Sequence, residues 1–269
     1  VENVRTVAET KQTFYSLHRS PIHSLYRQIV DELIVEMHLL SVNVDFRYDP
    51  FYALGVVTTF EGFMTGYAPE ADKASIFQAL CRSVGAEPQQ YQQDAAHLRS
   101  SAKELVGPEL LAWLTQEEAT ILGPEHLQGL PQMIANRSSF KYSRLFGIGL
   151  LTFLETVAPE WLQDAEKRQE TLQKVSDALH LSAEKLQKDL ELYQSNLEKM
   201  VQAQKLLQEV IEADRKKREQ RAGAKVVQTA STEDVDVLKE TSTPEAPTEG
   251  DEMTSHRDTG DQVTQGDGD

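Results

Sequence analysis

The sequence has a single cysteine, few aromatic residues, a shortage of basic ones and no long apolar run. Each shortage removes a class of protein. Cys81 alone rules out an intrachain disulfide and fits a reducing compartment. With 27 Lys and Arg against 43 Asp and Glu, the formal charge is −16, and a duplex nucleic-acid binder needs the opposite sign to neutralise phosphates. The best apolar stretch, Leu145 to Ala158, falls short of the roughly 20 residues needed to cross a bilayer and contains Glu155. It reads as a buried core helix. The opening Val-Glu-Asn-Val-Arg has the character of neither a secretory signal nor an Arg-rich, acid-poor transit peptide, so the chain is expected on the synthesising side of any membrane.

Catalytic signatures are also missing. There is no phosphate-cradling Gly-rich loop, no G-x-S-x-G elbow, no H-E-x-x-H and no C-x-x-C. Glu32, Glu36 and His38 come nearest to a metal-ligand set, but a di-iron bundle needs Glu three residues before His, and Val35 stands there. Cys81 lies on an apolar stripe and reads as a packing residue. The expectation is a non-enzyme with no catalytic residue, metal or cofactor.

The charge is unevenly spread. Residues 223–269 hold three basic side chains and twelve acidic ones, a net −9 of the total, with no Phe, Trp or Tyr. Such a segment buries too little apolar surface to offset the entropy of ordering and is expected to be disordered.

What is abundant is helical signal. Ser20-Pro21 reads as an N-cap with proline at the first helical position, followed by an apolar stripe from Ile22 to Met37. Asp49-Pro50 repeats the start signal, and the stretch to Tyr67 is apolar nearly all round, as in a central helix covered by its neighbours. Stripes over 76–84 and 91–105 are closed by Gly85 and Gly107, and Pro108 opens a short helix through Trp113. Residues 116–131 read as a connection. Ser138 or Ser139 then caps a helix to Val157, and another runs to about Leu179. The predicted fold is all-α: one helical domain over 1–180, a long helix over 181–222, and the acidic tail over 223–269.

The long helix differs from the others. Leu186, Leu190, Tyr193, Leu197, Met200, Gln204, Leu207, Ile211 and Asp214 alternate in steps of four and three, a heptad seam weakened by Gln204 and Asp214. Ser182 is its N-cap, and Leu181 is placed to pack on Leu186. Its length, about 60 Å, exceeds what the domain before it can cover, so cover is expected to give out near Met200. The apolar seam residues Leu186, Leu190, Tyr193, Leu197, Met200, Leu207 and Ile211 are the candidate partner-binding set. Arg215, Lys216, Lys217 and Arg218 at its end read either as a solvated helix terminus complementing the dipole or as a site for anionic lipid or an acidic partner.

Long strings of the sequence resemble a known family. TKQTFYSLHRSPIHSLYRQIVDELIVEMHLLSVNVDFRYDPFYALGVVTTFEGFMTGY (10–67), SIFQALC (75–81), YSRLFGIGLLTFLE (142–155) and LYQSNLEKM (192–200) resemble the thylakoid formation family, the photosystem II biogenesis accessory proteins of cyanobacteria and chloroplasts. The resemblance covers about residues 4–215, and without a transit peptide it points to the cyanobacterial type. It implies an all-helical fold and peripheral association with thylakoid membranes on the cytoplasmic side. It also implies a role in photosystem II assembly and repair through membrane-bound FtsH protease complexes, with photosystem II assembly intermediates as further partners. The family supplies no catalytic residues to carry over. Arg47, in the matched FRYDP string, is placed to pair with Asp45 or Asp49. Two other classes stay open: a homo-oligomeric coiled-coil scaffold, against the expected monomer or weak dimer, and a helical protein that binds a small molecule or pigment. Limited proteolysis at low enzyme dose is expected to trim the chain to a stable core ending near Ala222; a protease-resistant full-length chain would contradict the expected disorder.

Overall fold

The computed structural model describes residues 5–115, 127, 129–135 and 140–233. Every regular element among them is a helix. In chain order these are α1 (Val7–Leu17), α2 (Ser24–Ser41), α3 (Pro50–Phe63), α4 (Glu70–Ser83), α5 (Pro88–Glu104) and α6 (Gly107–Thr115). They are followed by α7 (Leu130–Ala135), α8 (Arg144–Val157), α9 (Glu160–Gln163), α10 (Ala165–Ala178) and α11 (Ala183–Glu233). The chain divides into two compact units, Val1–Ile211 and Glu212–Asp269. The first takes in α1 to α10 and also α11 as far as Ile211.

α3 is the centre of the first unit. Asp49 caps it, its carboxylate accepting the Tyr52 N–H at 2.9 Å, and Pro50 occupies the first turn where its missing N–H costs nothing. Burial pushes the Asp49 carboxyl up to about 7, against the pull of the Tyr52 and Phe51 amides. From Phe51 to Val57 every residue of α3 is buried, which is why its sequence is apolar on all sides. Its most extensive partner is α8, then α5. Phe51 sets its ring edge-on to Phe146 and Phe153 of α8, with centroids 5.8 and 5.4 Å apart.

Two glycines make that pairing close. A Cβ on Gly55 would overlap the Leu145 carbonyl, and one on Gly149 would overlap that of Phe51. Each helix therefore offers bare backbone to the other where they cross.

Several starts differ from the sequence reading. α2 begins at Ser24, capped by His23 Nδ1, which accepts the Leu25 N–H at 3.3 Å, and not at Pro21 capped by Ser20. The preceding link stays non-helical because His18 and Ile22 are both buried from it. α8 begins at Arg144, with Ser143 Oγ accepting the Phe146 N–H at 3.1 Å. Phe140 and Tyr142 lie before that start with their rings against Phe146, while Ser138 and Ser139 lie outside the described residues. The connection expected over 116–131 lies mostly outside them too, but its end, Leu130 and Pro131, opens α7. Arg47 gives its guanidinium to the Val44 and Phe46 carbonyls, both at 2.8 Å, and not to Asp45 or Asp49, because Asp49 is buried at its cap.

α1 was not foreseen, although Thr6 and Glu9 form a reciprocal capping box at its start. Two buried histidines fasten it: Thr10 Oγ1 lies 2.9 Å from His38 Nδ1 of α2, and His18 Nδ1 lies 3.0 Å from Ser75 Oγ of α4. Cys81 is buried on α4, and burial pushes its thiol up to about 12. α11 continues to Glu233, beyond the Ala222 expected. Gly223 is the one strong helix breaker in that stretch, and the first proline after it is Pro244. The rest of the acidic tail, 234–269, lies outside the described residues.

Gly55→Ala is expected to destabilise the chain by at least the ~1–3 kcal/mol typical of overpacking, because backbone and not a flexible side chain blocks the methyl group. A urea titration followed by circular dichroism measures it, and an unchanged midpoint would contradict the close crossing.

Candidate functional site

α11 is the element that the sequence singles out, and its seat is built from its first turn onward. Ser182 Oγ accepts the Lys185 N–H at 3.3 Å, and Leu181 packs against the core beside buried Leu186. Leu186 fits over Gly147 of α8, where an added Cβ would come 2.9 Å from its Cδ1. One residue group further, Tyr142 donates its hydroxyl to Asp189 at 2.9 Å while the Lys185 ammonium sits 4.9 Å from its ring centroid. Burial, then the Asp189 carboxylate, raises the Tyr142 hydroxyl well above its ordinary value.

Leu190 is buried next along the seam. Tyr193 then meets Phe63 at the end of α3 edge-to-face, with centroids 5.8 Å apart, and burial pushes its hydroxyl up to about 12. Leu197 closes over Gly62, and Met200 is buried at 4% exposure. The apolar cover thus reaches Met200, and Val201 after it is 60% exposed.

Gln204, read from the sequence as a flaw in the seam, has a specific task. Its Nε2 donates to the Thr65 carbonyl at 2.6 Å. That carbonyl follows the end of α3 and has no partner within the helix; Tyr26 reaches it only at 3.4 Å. A leucine at 204 would leave it poorly satisfied.

Past Gln204 the cover of the seam gives out by stages. Leu207 is half-buried, and Ile211 is 58% exposed. Of the seven candidate residues, the structure gathers Leu186, Leu190, Tyr193, Leu197 and Met200 against the chain's own core and leaves Leu207 and Ile211 beyond it. Two neighbours beside them are exposed, Leu206 at 63% and Val210 at 65%. They escaped the heptad reading because they stand at its c and g positions, beside the seam and not on it. Four large apolar side chains therefore cluster within six residues, 206–211, of α11.

Among the described residues no group of His, Cys, Asp and Glu is arranged to hold a metal ion. Of the three sequence neighbours considered for one, Glu36 pairs with Arg144 and His38 bonds Thr10.

Comparison with known proteins settles the family. The family model for the thylakoid formation protein matches residues 6–222. The chain belongs to the thylakoid formation protein family. Among curated relatives, Protein Thf1 of Nostoc sp. (strain PCC 7120) is 55% identical over 221 residues, covering 82% of this chain and 94% of that one. Protein Thf1 of Gloeothece citriformis is 53% identical over 220 residues, covering 82% of this chain and 97% of the relative. A solved structure of Psb29 aligns with a TM-score of 0.61 at 41% identity, covering 73% of this chain and 98% of that one. The family match begins at the residue that caps α1 and ends on α11 beyond the exposed apolar cluster.

The seat and the exposed cluster predict opposite outcomes for equal truncations. Leu186→Ala is expected to cost ~2–5 kcal/mol through loss of burial and the cavity left behind. Ile211→Ala is expected to stay within ~0.5 kcal/mol, as at an open surface. Equal costs in chemical denaturation would show that α11 is not divided in this way.

Proposed function

We propose that this chain is a non-enzymatic accessory protein of photosystem II biogenesis and repair, which associates with thylakoid FtsH protease complexes and supports their accumulation. Membership of the thylakoid formation family across residues 6–222 carries the reading, and the likeness to a solved Psb29 supports it. No helix among the described residues is long and apolar enough to cross a membrane, which agrees with peripheral attachment through a membrane-bound partner at the cytoplasmic face.

The contact we assign is the apolar cluster Leu206, Leu207, Val210 and Ile211. Burying one such side chain is worth ~1.5–3 kcal/mol, so a few of them support a specific interface. The proximal residues of the seam, from Leu186 to Met200, then act from within: they hold α11 in place, and the distal turns meet the partner.

Val210→Asp combined with Ile211→Asp leaves the core contacts of α11 untouched. The double variant is expected to keep the helicity and melting temperature of the parent and to lose co-purification with FtsH from detergent-solubilised thylakoids. Undiminished co-purification by the folded variant would move the docking surface off α11. Release of the parent from thylakoids by high-salt washing is the companion result; retention in washed membranes would contradict attachment through a protein.

A further inference from the structure

We propose that the acidic segment 234–269 docks on the basic stretch of its own helix, Arg215 to Arg221, and covers it. Arg215, Lys216, Lys217, Arg218 and Arg221 put five cations into seven residues of a chain whose net charge is −16, and all five are exposed. Two are engaged locally: Arg215 Nε with Glu219 at 3.5 Å, and Arg218 Nη2 with Asp214 at 3.6 Å. Among the described residues, Lys216, Lys217 and Arg221 have no ion pair.

The ordinary explanation for such a group is a helix end, where cations complement the negative pole of the dipole. That effect is confined to the last turn. α11 runs on to Glu233, so the cations sit in mid-helix and the dipole does not account for them.

The complementary charge is covalently attached. Segment 234–269 carries eleven acidic side chains and two basic ones, a net −9. It begins where α11 ends, ~24 Å along the helix from Lys217 at 1.5 Å per residue. An extended chain covers that distance in about seven residues, so carboxylates from Glu240 onward are within reach. Glu245, Glu249, Asp251 and Glu252 form their densest group. Tethering holds them at an effective concentration in the millimolar range, ahead of a free anionic competitor. Exposed ion pairs are individually weak, but here many carboxylates share a few cations and any of several pairings serves.

The basic stretch lies inside the family match and the acidic segment lies after its end at residue 222. This inference stands apart from the FtsH reading, since it uses none of the apolar residues at 206–211.

Zero-length carbodiimide coupling of the full chain, with labelled and unlabelled protein mixed, tests it by mass spectrometry. The expected result is that Lys216 and Lys217 join carboxylates of 240–252 within one molecule. The yield should fall several-fold at about 0.5 M salt, where the Debye length shrinks to ~4 Å. Coupling only to neighbours on α11, coupling only between molecules, or a yield indifferent to salt would each overturn the proposal. A second readout uses the full chain carrying Glu245→Gln, Glu249→Gln, Asp251→Asn and Glu252→Gln with vesicles containing phosphatidylglycerol at low salt. The variant is expected to bind them several-fold more than the parent, and equal binding by the two would overturn the covering of the basic stretch.

Discussion

The crossing of α3 and α8 is the constraint from which the first unit is built. Two helices come close enough to place backbone against backbone only if both lack side chains at the contact, and Gly55 and Gly149 meet that condition from opposite sides. Once they are in place, the aromatic side chains on either side of the crossing have fixed partners, Phe51 with Phe146 and Phe153. α5 packs along another side of α3, and Glu61 alone of its residues stays exposed. The remaining helices are added around that pair, and their contacts with it are made by side chains.

α11 depends on the same crossing at one remove. Its first turns rest on Gly147, two residues from Gly149, and its middle rests on Gly62, Phe63 and Thr65 at the far end of α3. A displacement of α8 against α3 would therefore shift both supports of α11. This ties the turns at 206–211 to the rigidity of the central pair. The support of these turns is a chain of contacts running from a backbone crossing to a docked helix.

Polar groups do much of the fastening in this otherwise apolar structure. Gln204 satisfies a carbonyl left over from the end of α3, Asp189 takes the Tyr142 hydroxyl, and His38 and His18 fasten α1 through single hydroxyl bonds. Each bond contributes modestly by itself, but breaking it strands a buried group at greater cost. That asymmetry makes these residues selective for one arrangement of the helices, where apolar packing alone tolerates many.

Most of the helices were legible in the sequence because their determinants are local. Asp49-Pro50, the glycine at 85 and the stripe on α5 act within a few residues of themselves, and the all-round apolar character of α3 announced a central position. The seam of α11 was legible for the same reason, as was membership of the family, which long matching strings carry. What the tertiary structure alone decided is where these patterns are used. The heptad register gives Met200 and Ile211 equal standing, yet Met200 is buried and Ile211 is open, because cover depends on where α3 ends and not on the helix that receives it. His23 displaced Ser20 as a cap, and Ser143 fixed the start of α8, because burial of neighbouring side chains set the path of the links. Gln204 looked like a defect until the carbonyl it serves, 139 residues away in the chain, was beside it. Local propensity and periodicity belong to the sequence; the partners that give each position its meaning are distant along the chain, and only folding brings them into contact.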